Sequence, residues 1–335
     1  MTQMPSENTS PIPFAGEHVF DPLASETDIF YCFRLILGRF PSRQEWKGHS
    51  SFIGLDLARV VAAYLNSLEF ANRRLLAPPT MEGIQLVELD RFAMYLSSSD
   101  YAVGREILNS KTYEPNVTRI LIDRLRPGMT VLDVGANIGY FSLLMSVLVG
   151  REGRCIAIEP NPRNVKLLLA NKDLNGFEQL EILQAAAGNT WGVLQLNTTY
   201  SNGVVSPINA KSIQEISQRE TVLSLKIDGI LPPDVRVDVI KIDVEGSEFN
   251  ALSGALRCIE NDRPLIISEF MPGGLRSISG VTPEEYLSFL TNRGYHLAVL
   301  ESDHCVPCQQ VAAMVMKQFR EMNVDHIDIL AEPTA

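Results

Sequence analysis

Hydrophobic and polar positions change rhythm along the chain. From about residue 130 onward, short apolar runs of strand length alternate with longer stretches in which apolar residues recur every three or four positions. "TVLDVGAN", "RCIAIEP", "LEILQAAAG", "VDVIKIDVEG", "PLIISEF", "YHLAVLE" and "HIDILAE" read as strands. "GYFSLLMSVLV", "NVKLLLANKDL", "SEFNALSGALRCI" and "TPEEYLSFLTNRG" read as helices between them. Strands and helices in alternation imply crossover connections, hence an α/β fold with a mostly parallel sheet. The last two strands lack a clear helix between them, which predicts that one runs antiparallel.

The pattern before residue 80 is different. Residues 1–24 are rich in Pro, Ser and Thr without any period and read as a disordered tail. Residues 25–79 read as a small all-α unit. Ser25 with Asp28 and Ser42 with Glu45 have capping-box spacing, and Ile29, Phe33, Ile36 and Leu37 share a helix face. "PP" at 78–79 reads as a linker into the α/β domain, 80–335. Within that domain, 189–226 reads as an insertion, and "SNG" at 201–203 predicts a hairpin or lid in it.

Charge and cysteine content narrow the function. Acidic residues outnumber basic ones 40 to 29, giving a net charge of -11. This weighs against a nucleic-acid partner, which requires clustered Lys and Arg. The longest uncharged apolar run, 140–150, is too short to span a bilayer and suits a buried helix. The first residues lack the basic and apolar regions of a signal peptide, and the cysteine count, 5, is odd. Both features lead us to expect reduced thiols in a cytoplasm. Cys305 and Cys308 form a C-x-x-C beside His304, but no second ligand pair accompanies them, so two loop thiols are the simpler reading. Nothing in the pattern fixes an oligomeric state.

Candidate chemistry collects where such sheets bind ligands, at the carboxyl ends of the strands. Asp133 to Gly139, Glu159, Ala186, Asp243 to Glu248, and Glu269 all fall there. "VLDVGANIGYFS" follows a strand and opens a helix. A dinucleotide loop wants a second glycine where this chain has Asn137, and Asp133 would repel a pyrophosphate. S-adenosylmethionine carries a sulfonium and an ammonium and has no phosphate, so nearby acids attract it. Glu159, at the end of the second strand, is placed to accept ribose hydroxyls of either ligand.

These residues carry a resemblance. "SDYAVGREIL", "YEPNVT", "LDVGANIGYFS", "IEPNP…LLLANKDLNG", "QAAAG", "IKIDVEGSEFNALSGA" and "PLIISEF" make 84–330 resemble an FkbM-family S-adenosylmethionine-dependent methyltransferase. The resemblance implies a class I methyltransferase (Rossmann-like) fold, with a mostly parallel seven-stranded sheet whose last strand is antiparallel. It implies O-methylation of a hydroxyl on a glycan, lipid or natural-product scaffold. It places Asp133, Gly135, Ala136, Asn137 and Gly139 at the methionine part of the donor and Glu159 at the ribose. Pro160 and Asn161 would flank the adenosine, and Ala186 would lie by the adenine. Glu114, in "YEP", could reach the ammonium, with a solvated loop acid as the alternative. The sequence departs from the family in "LKIDG", where Thr-Leu-Asp is usual, though Asp228 is kept. The helical unit, with Tyr31, Leu37, Gly38, Arg39, Pro41, Ser67, Glu69 and Phe70, resembles a small module of bacterial surface and glycan-related proteins; a plain helical cap is the alternative.

The acids then sort by strand alternation. Lys241, Asp243 and Glu245 share one face, with Asp243 in the crevice beside the donor. Lys241 is expected to neutralise Asp133 or Asp243. Glu248 falls in the first helical turn, where it either begins a helix or acts in the site. Methyl transfer to an aliphatic hydroxyl needs the proton removed, by a base or by a metal. Asp243 and Glu269 could imitate two acids of a catechol-type magnesium site, but Phe270 stands where an amide ligand would be. The expectation is metal-free chemistry, with Asp243 beside the donor and Glu245 or Glu269 orienting and deprotonating the acceptor. A bacterial polysaccharide or glycolipid is the expected acceptor. A non-catalytic scaffold and an NAD-dependent oxidoreductase are the rival readings. An amino-methyltransferase lacks its N/D-P-P-aromatic motif, since "LPPD" at 231–234 fails at both outer positions.

Overall fold

The computed structural model describes residues 21–72, 83–97, 100, 103–197, 204–206, 220–300, 305–308, 311–322 and 324–334. The expected tail to residue 20, the Pro-Pro linker, "SNG" and His304 lie outside the described residues. The chain divides into two units, Met1–Thr80 and Met81–Ala335.

In the first unit α1 (Glu26–Tyr31) runs on through a π-helical turn to Ile36, followed by α2 (Arg43–His49), α3 (Leu57–Leu65) and α4 (Leu68–Asn72). Both capping boxes form: Ser25 with Asp28, and Ser42 with Glu45. Ile29, Phe33, Leu37, Val60, Tyr64 and Phe70 make the core. Leu23 pairs with Asp56 and Ala24 is buried, so ordered packing begins before residue 25. The Arg39 guanidinium donates to both oxygens of Glu69, at 2.5 and 2.7 Å, and also to Glu45. Such a fork fixes geometry as well as charge. Ser67 caps α4 by accepting from Phe70 N at 3.1 Å.

The second unit opens with a hairpin, β1 (Ile84–Glu88) and β2 (Ala93–Ser97), then α5 (Val103–Ser110) and α6 (Pro115–Arg124). The sheet-forming half begins with β3 (Thr130–Val134), α7 (Tyr140–Val149), β4 (Arg154–Ile158), α8 (Pro162–Asn175) and β5 (Leu180–Leu183). Four short strands follow: β6 (Ala186–Ala187), β7 (Gly192–Asn197), β8 (Val204–Ser206) and β9 (Glu220–Leu225). After one helical turn, α9 (Ile227–Ile230), come β10 (Val239–Ile242), α10 (Glu248–Ser253), β11 (Leu265–Phe270), α11 (Pro283–Thr291) and β12 (Tyr295–Leu300). The chain ends with β13 (Cys305–Cys308), α12 (Val311–Met322) and β14 (Ile327–Pro333).

The main sheet has the order β13-β12-β14-β11-β10-β3-β4-β5. The seven expected strands are present, and β13 adds an antiparallel edge strand beside β12. β14 runs antiparallel to both its neighbours, as the resemblance implies. β10 is buried at every position, as expected of a central parallel strand covered on both faces. The chain reverses its direction of travel across the sheet between β3 and β10, which opens a crevice there.

Three elements differ from the sequence pattern. α12 separates the last two strands, where no helix was expected; Val315 and Met316 bury its inner face against the sheet. "LEILQAAAG" is broken after Leu183, and Ala186 and Ala187 pair with β9 in a second sheet, β6-β9-β7-β8. The break is set by Ala185 N, which turns to Glu159 O at 3.2 Å. The β1–β2 hairpin was not anticipated, and α8 anchors it. Asn175 accepts from Ala93 N at 3.0 Å and donates to Ala93 O at 2.6 Å. Asn171 accepts from Tyr95 N at 2.6 Å.

Candidate active site

The crevice is formed by three turns that follow β3, β4 and β10. After β3, Gly135 (φ 84°) and Asn137 (φ 49°) take left-handed conformations, and Gly139 (φ 99°) starts α7. Gly135 N and Ala136 N both donate to Ile158 O, which ties this turn to β4. A Cβ on Gly135 would lie 1.8 Å from the carbonyl oxygen of Asp243. Glycine is therefore required for the β3 and β10 turns to meet. A Cβ on Gly139 would strike Leu168 of α8 at 2.2 Å. Asn171 of α8 also donates to Ile138 O at 3.0 Å, so one buried amide fastens both the glycine turn and the hairpin.

Glu159 ends β4 with its carboxylate bound on three sides. Asn137 N and Asn161 N each donate at 2.8 Å, and Asn164 Nδ2 at 3.3 Å. Burial nevertheless pushes its pKa up to about 7. Asp133 is fully buried; Ser142 Oγ donates to its Oδ2 at 2.5 Å and its Oδ1 has no partner. Burial raises its pKa above the usual carboxylate range.

Lys241 sits beside Asp133 in the β10–β3 ladder and is 4% exposed. Its Nζ donates to Asp243 Oδ2 at 3.2 Å and lies 4.8 Å above the Phe141 ring. Burial alone would lower its pKa, but Asp243, Glu114 and Asp133 together outweigh that and raise it. Glu114 caps α6 in a left-handed conformation (φ 39°), and desolvation, with Asp243 and Asp328 adding to it, pushes its pKa up to about 8.

The turn after β10 carries the remaining acids. Glu245 is left-handed (φ 54°). Among the described residues only Lys111, Glu114, Asn137, Glu245 and Arg263 have positive φ without being glycine. Three of them are candidate site residues, and strain of this kind gathers at functional sites. Glu248, which reads from sequence as a helix starter, is fully buried, with Val244 N and Gly246 N donating to its Oε1 at 3.1 and 3.0 Å. Burial pushes it up to about 7. Glu269 is paired across strands with Asp328, and its Oε2 has no partner. Burial, then Asp243, Glu248, Glu245 and Asp328, push it up to about 11. It therefore holds a proton at neutral pH and is poorly suited to act as a base. Phe270 is buried in the core against Tyr286, away from any ligand set. Among the described residues no group of three or more His, Cys, Asp or Glu could hold a metal ion.

These turns bound an open cleft. Gly135, Ala136, Asn137, Glu159, Pro160, Ala186, Asp243 and Glu245 line it. Glu114, Asp133, Gly139, Asn161 and Glu269 lie outside its lining. Tyr113, Asn164 and Val205 line it too, without having been singled out in the sequence. Val205 belongs to β8, so the inserted small sheet supplies part of the wall. Asp228, in the atypical "LKIDG", accepts from Arg257 N and Cys258 N at 2.7 and 3.0 Å, a structural role.

The model of the methyltransferase FkbM domain matches residues 133–297. The chain is 26% identical over 227 residues to methyltransferase sdnD of Sordaria araneosa, covering 57% of this chain and 84% of that protein. It is 26% identical over 157 residues to the hexuronic acid methyltransferase AglP of Haloferax volcanii, covering 46% of this chain and 61% of that protein. The solved structure of methyltransferase FkbM from Methylobacillus flagellatus KT is 15% identical. The alignment covers 90% of this chain and 58% of that one, at a TM-score of 0.39. At that score the fold rests on this chain's own strand order.

Proposed function

We propose that this S-adenosylmethionine-dependent methyltransferase, whose residues 133–297 belong to the FkbM family, methylates a hydroxyl of a saccharide, glycolipid or natural-product acceptor. The observation that carries the reading is the acidic lining of the cleft, where Asp243, Glu245 and Glu159 stand against the single ammonium of Lys241. Such an excess of negative charge attracts a cationic ligand and opposes a pyrophosphate. Asn137 at the second-glycine position further disfavours a dinucleotide.

The residues fit the donor. The glycine turn, Gly135, Ala136 and Asn137, faces the methionine part in this reading, with Asp133 buried behind it. Glu159 keeps lone pairs for ribose hydroxyls, with Pro160 and Ala186 beside the base and Asn161 holding the Glu159 carboxylate from behind. Asp243 provides charge opposite the cationic groups, and Glu114, pushed up to about 8 and outside the lining, provides at most a hydrogen bond. The bound donor supplies an activated methyl group, so the protein's main contribution is orientation. Glu245 faces the cleft and takes the acceptor's hydroxyl proton. Glu269, protonated, contributes at most a hydrogen bond that orients the acceptor. The proposed chemistry needs no metal.

A relative named for hexuronic acid methylation supports a saccharide acceptor. No described helix is long and apolar enough to cross a membrane, and Cys32, Cys155 and Cys258 are unpaired, which supports a cytoplasmic setting. The test is transfer of tritium from methyl-labelled S-adenosylmethionine into bacterial glycan and glycolipid extracts, with and without a chelator. The expected label is an alkali-stable ether in a glycan fraction, unaffected by chelation. Label in nucleic acid or protein, or binding of NAD+ in place of the donor, would overturn the reading.

A further inference from the structure

We infer that Glu248 is a positioning residue: its buried carboxylate holds Glu245 in the left-handed backbone conformation that presents it to the cleft. The inference rests on the reading of Glu245 as the acid that faces the acceptor. β10 ends at Ile242, and α10 begins at Glu248 itself. Between them the chain must turn sharply, and Glu245 (φ 54°) and Gly246 (φ 99°) both take positive φ to do so. A glutamate adopts that conformation only where its surroundings enforce it.

The enforcement is visible on both sides of the turn. Glu248 Oε1 accepts from Val244 N at 3.1 Å and Gly246 N at 3.0 Å, the amides on either side of Glu245. One oxygen thus bridges the residue that has to be strained. On the other side Ser279 Oγ donates to Gly246 O at 2.6 Å. A Cβ on Gly246 would lie 2.6 Å from the Gly274 backbone, so the turn is also pressed against its neighbour. An acid that served only the helix dipole would do so from the surface. Glu248 is instead fully buried, with its Oε2 unpartnered, an arrangement that is unfavourable unless Oε1 is needed where it is. Glu248 does not line the cleft and Glu245 does, so Glu248 acts through its neighbour.

The experiment uses the full chain with bound S-adenosylmethionine and the Glu248→Gln, Glu248→Ala, Glu245→Gln and Glu245→Gln/Glu248→Ala variants. Amide hydrogen exchange is read over residues 243–247, and methyl transfer on the glycan extract. Glu248→Ala should raise exchange at Val244 and Gly246 about 30-fold, since two hydrogen bonds are lost. Glu248→Gln should keep exchange within about threefold, because its carbonyl accepts the same two amides. Turnover should fall in Glu248→Ala, be partly restored by Gln, and fall no further in the double variant than in Glu245→Gln alone. Unchanged exchange in Glu248→Ala, or multiplying losses in the double variant, would overturn the inference. If Glu248→Ala does not fold, Ser279→Ala loosens the turn from its carbonyl side and should raise exchange over the same residues; no rise there counts against the inference. Full turnover in Glu245→Gln would overturn only the role given to Glu245, because the exchange readout uses no acceptor.

Discussion

Gly135→Ala would bring a methyl group into the gap between two turns that both line the cleft. Gly128 provides the control. The two glycines have nearly the same φ, 84° and 88°, but a Cβ on Gly128 meets nothing within 4 Å. Both substitutions carry the left-handed penalty of about 1–2 kcal/mol. Only Gly135→Ala must also move the Asp243 carbonyl oxygen from 1.8 Å to the 3.4 Å of ordinary contact, a shift of about 1.6 Å. That shift breaks the 2.9 Å bond from Asp243 N to Val134 O, worth about 1 kcal/mol. Overpacking adds about 1–3 kcal/mol. The expected destabilisation is about 3–6 kcal/mol for Gly135→Ala and about 1–2 for Gly128→Ala. Displacing cleft backbone by more than an ångström should lower affinity for S-adenosylmethionine about 100-fold, and Gly128→Ala should leave it unchanged. Urea unfolding and titration calorimetry measure the two effects. Equal destabilisation by both variants, or donor binding by Gly135→Ala within about threefold of the unaltered protein, would refute the reasoning.

Stability should fall as pH rises from about 5 to 8. Asp328, Glu159, Glu248, Glu114 and Glu269 are pushed up to about 6, 7, 7, 8 and 11, from unfolded values of 3.8 for Asp and 4.5 for Glu. Between those limits the folded protein binds more protons than the unfolded chain, so each group removes up to about 1.4 kcal/mol of stability per pH unit. Urea midpoints that stay flat or rise across that range would contradict this, and Glu269→Gln should gain on the unaltered protein as pH rises. Lys241→Met leaves Asp133, Asp243 and Glu114 without their shared cation and should cost about 3–5 kcal/mol at pH 7.5. A urea-unfolding loss below about 1 kcal/mol would count against the charge assignment. Asn171→Leu strands Tyr95 N and Ile138 O and should destabilise by about 2–4 kcal/mol, more than Asn175→Leu at the more exposed end of the same clamp. The reverse order in thermal or urea unfolding would show that the clamp is not what fixes the hairpin.

What could be read from the sequence was whatever depends on neighbours along the chain. Buried parallel strands such as Val239–Ile242 are apolar except at Lys241, and the capping boxes span three residues, so both were plain. The glycine turn and Glu159 follow their strands directly. What stayed hidden depends on distant partners. "LEILQAAAG" carries no turn signal before Gly188, and only pairing of Ala186 with Ser224 shows where the strand changes sheet. The hairpin is held by Asn171 and Asn175, 76 and 82 residues away. Glu248 reads as a helix start or a site acid, and its burial follows only when the segment round Gly274 and Ser279 packs against its turn. The proton on Glu269 follows from burial and from acids that include Asp328 on the last strand. Val311, Val315 and Phe319 recur at the helical spacing of α12, behind a polar run that separates them from the preceding strand.

The central claim is that carboxylates after β10 perform acceptor chemistry beside a donor held by the β3 and β4 turns. It is tested most directly by measuring, on one preparation of Glu245→Gln, both affinity for S-adenosylmethionine and methyl transfer to the glycan fraction. The account predicts donor affinity within about threefold of the unaltered protein and transfer lowered by about 100-fold or more, as for loss of a general base. Transfer at the full rate, or loss of donor binding in proportion to loss of transfer, would contradict it.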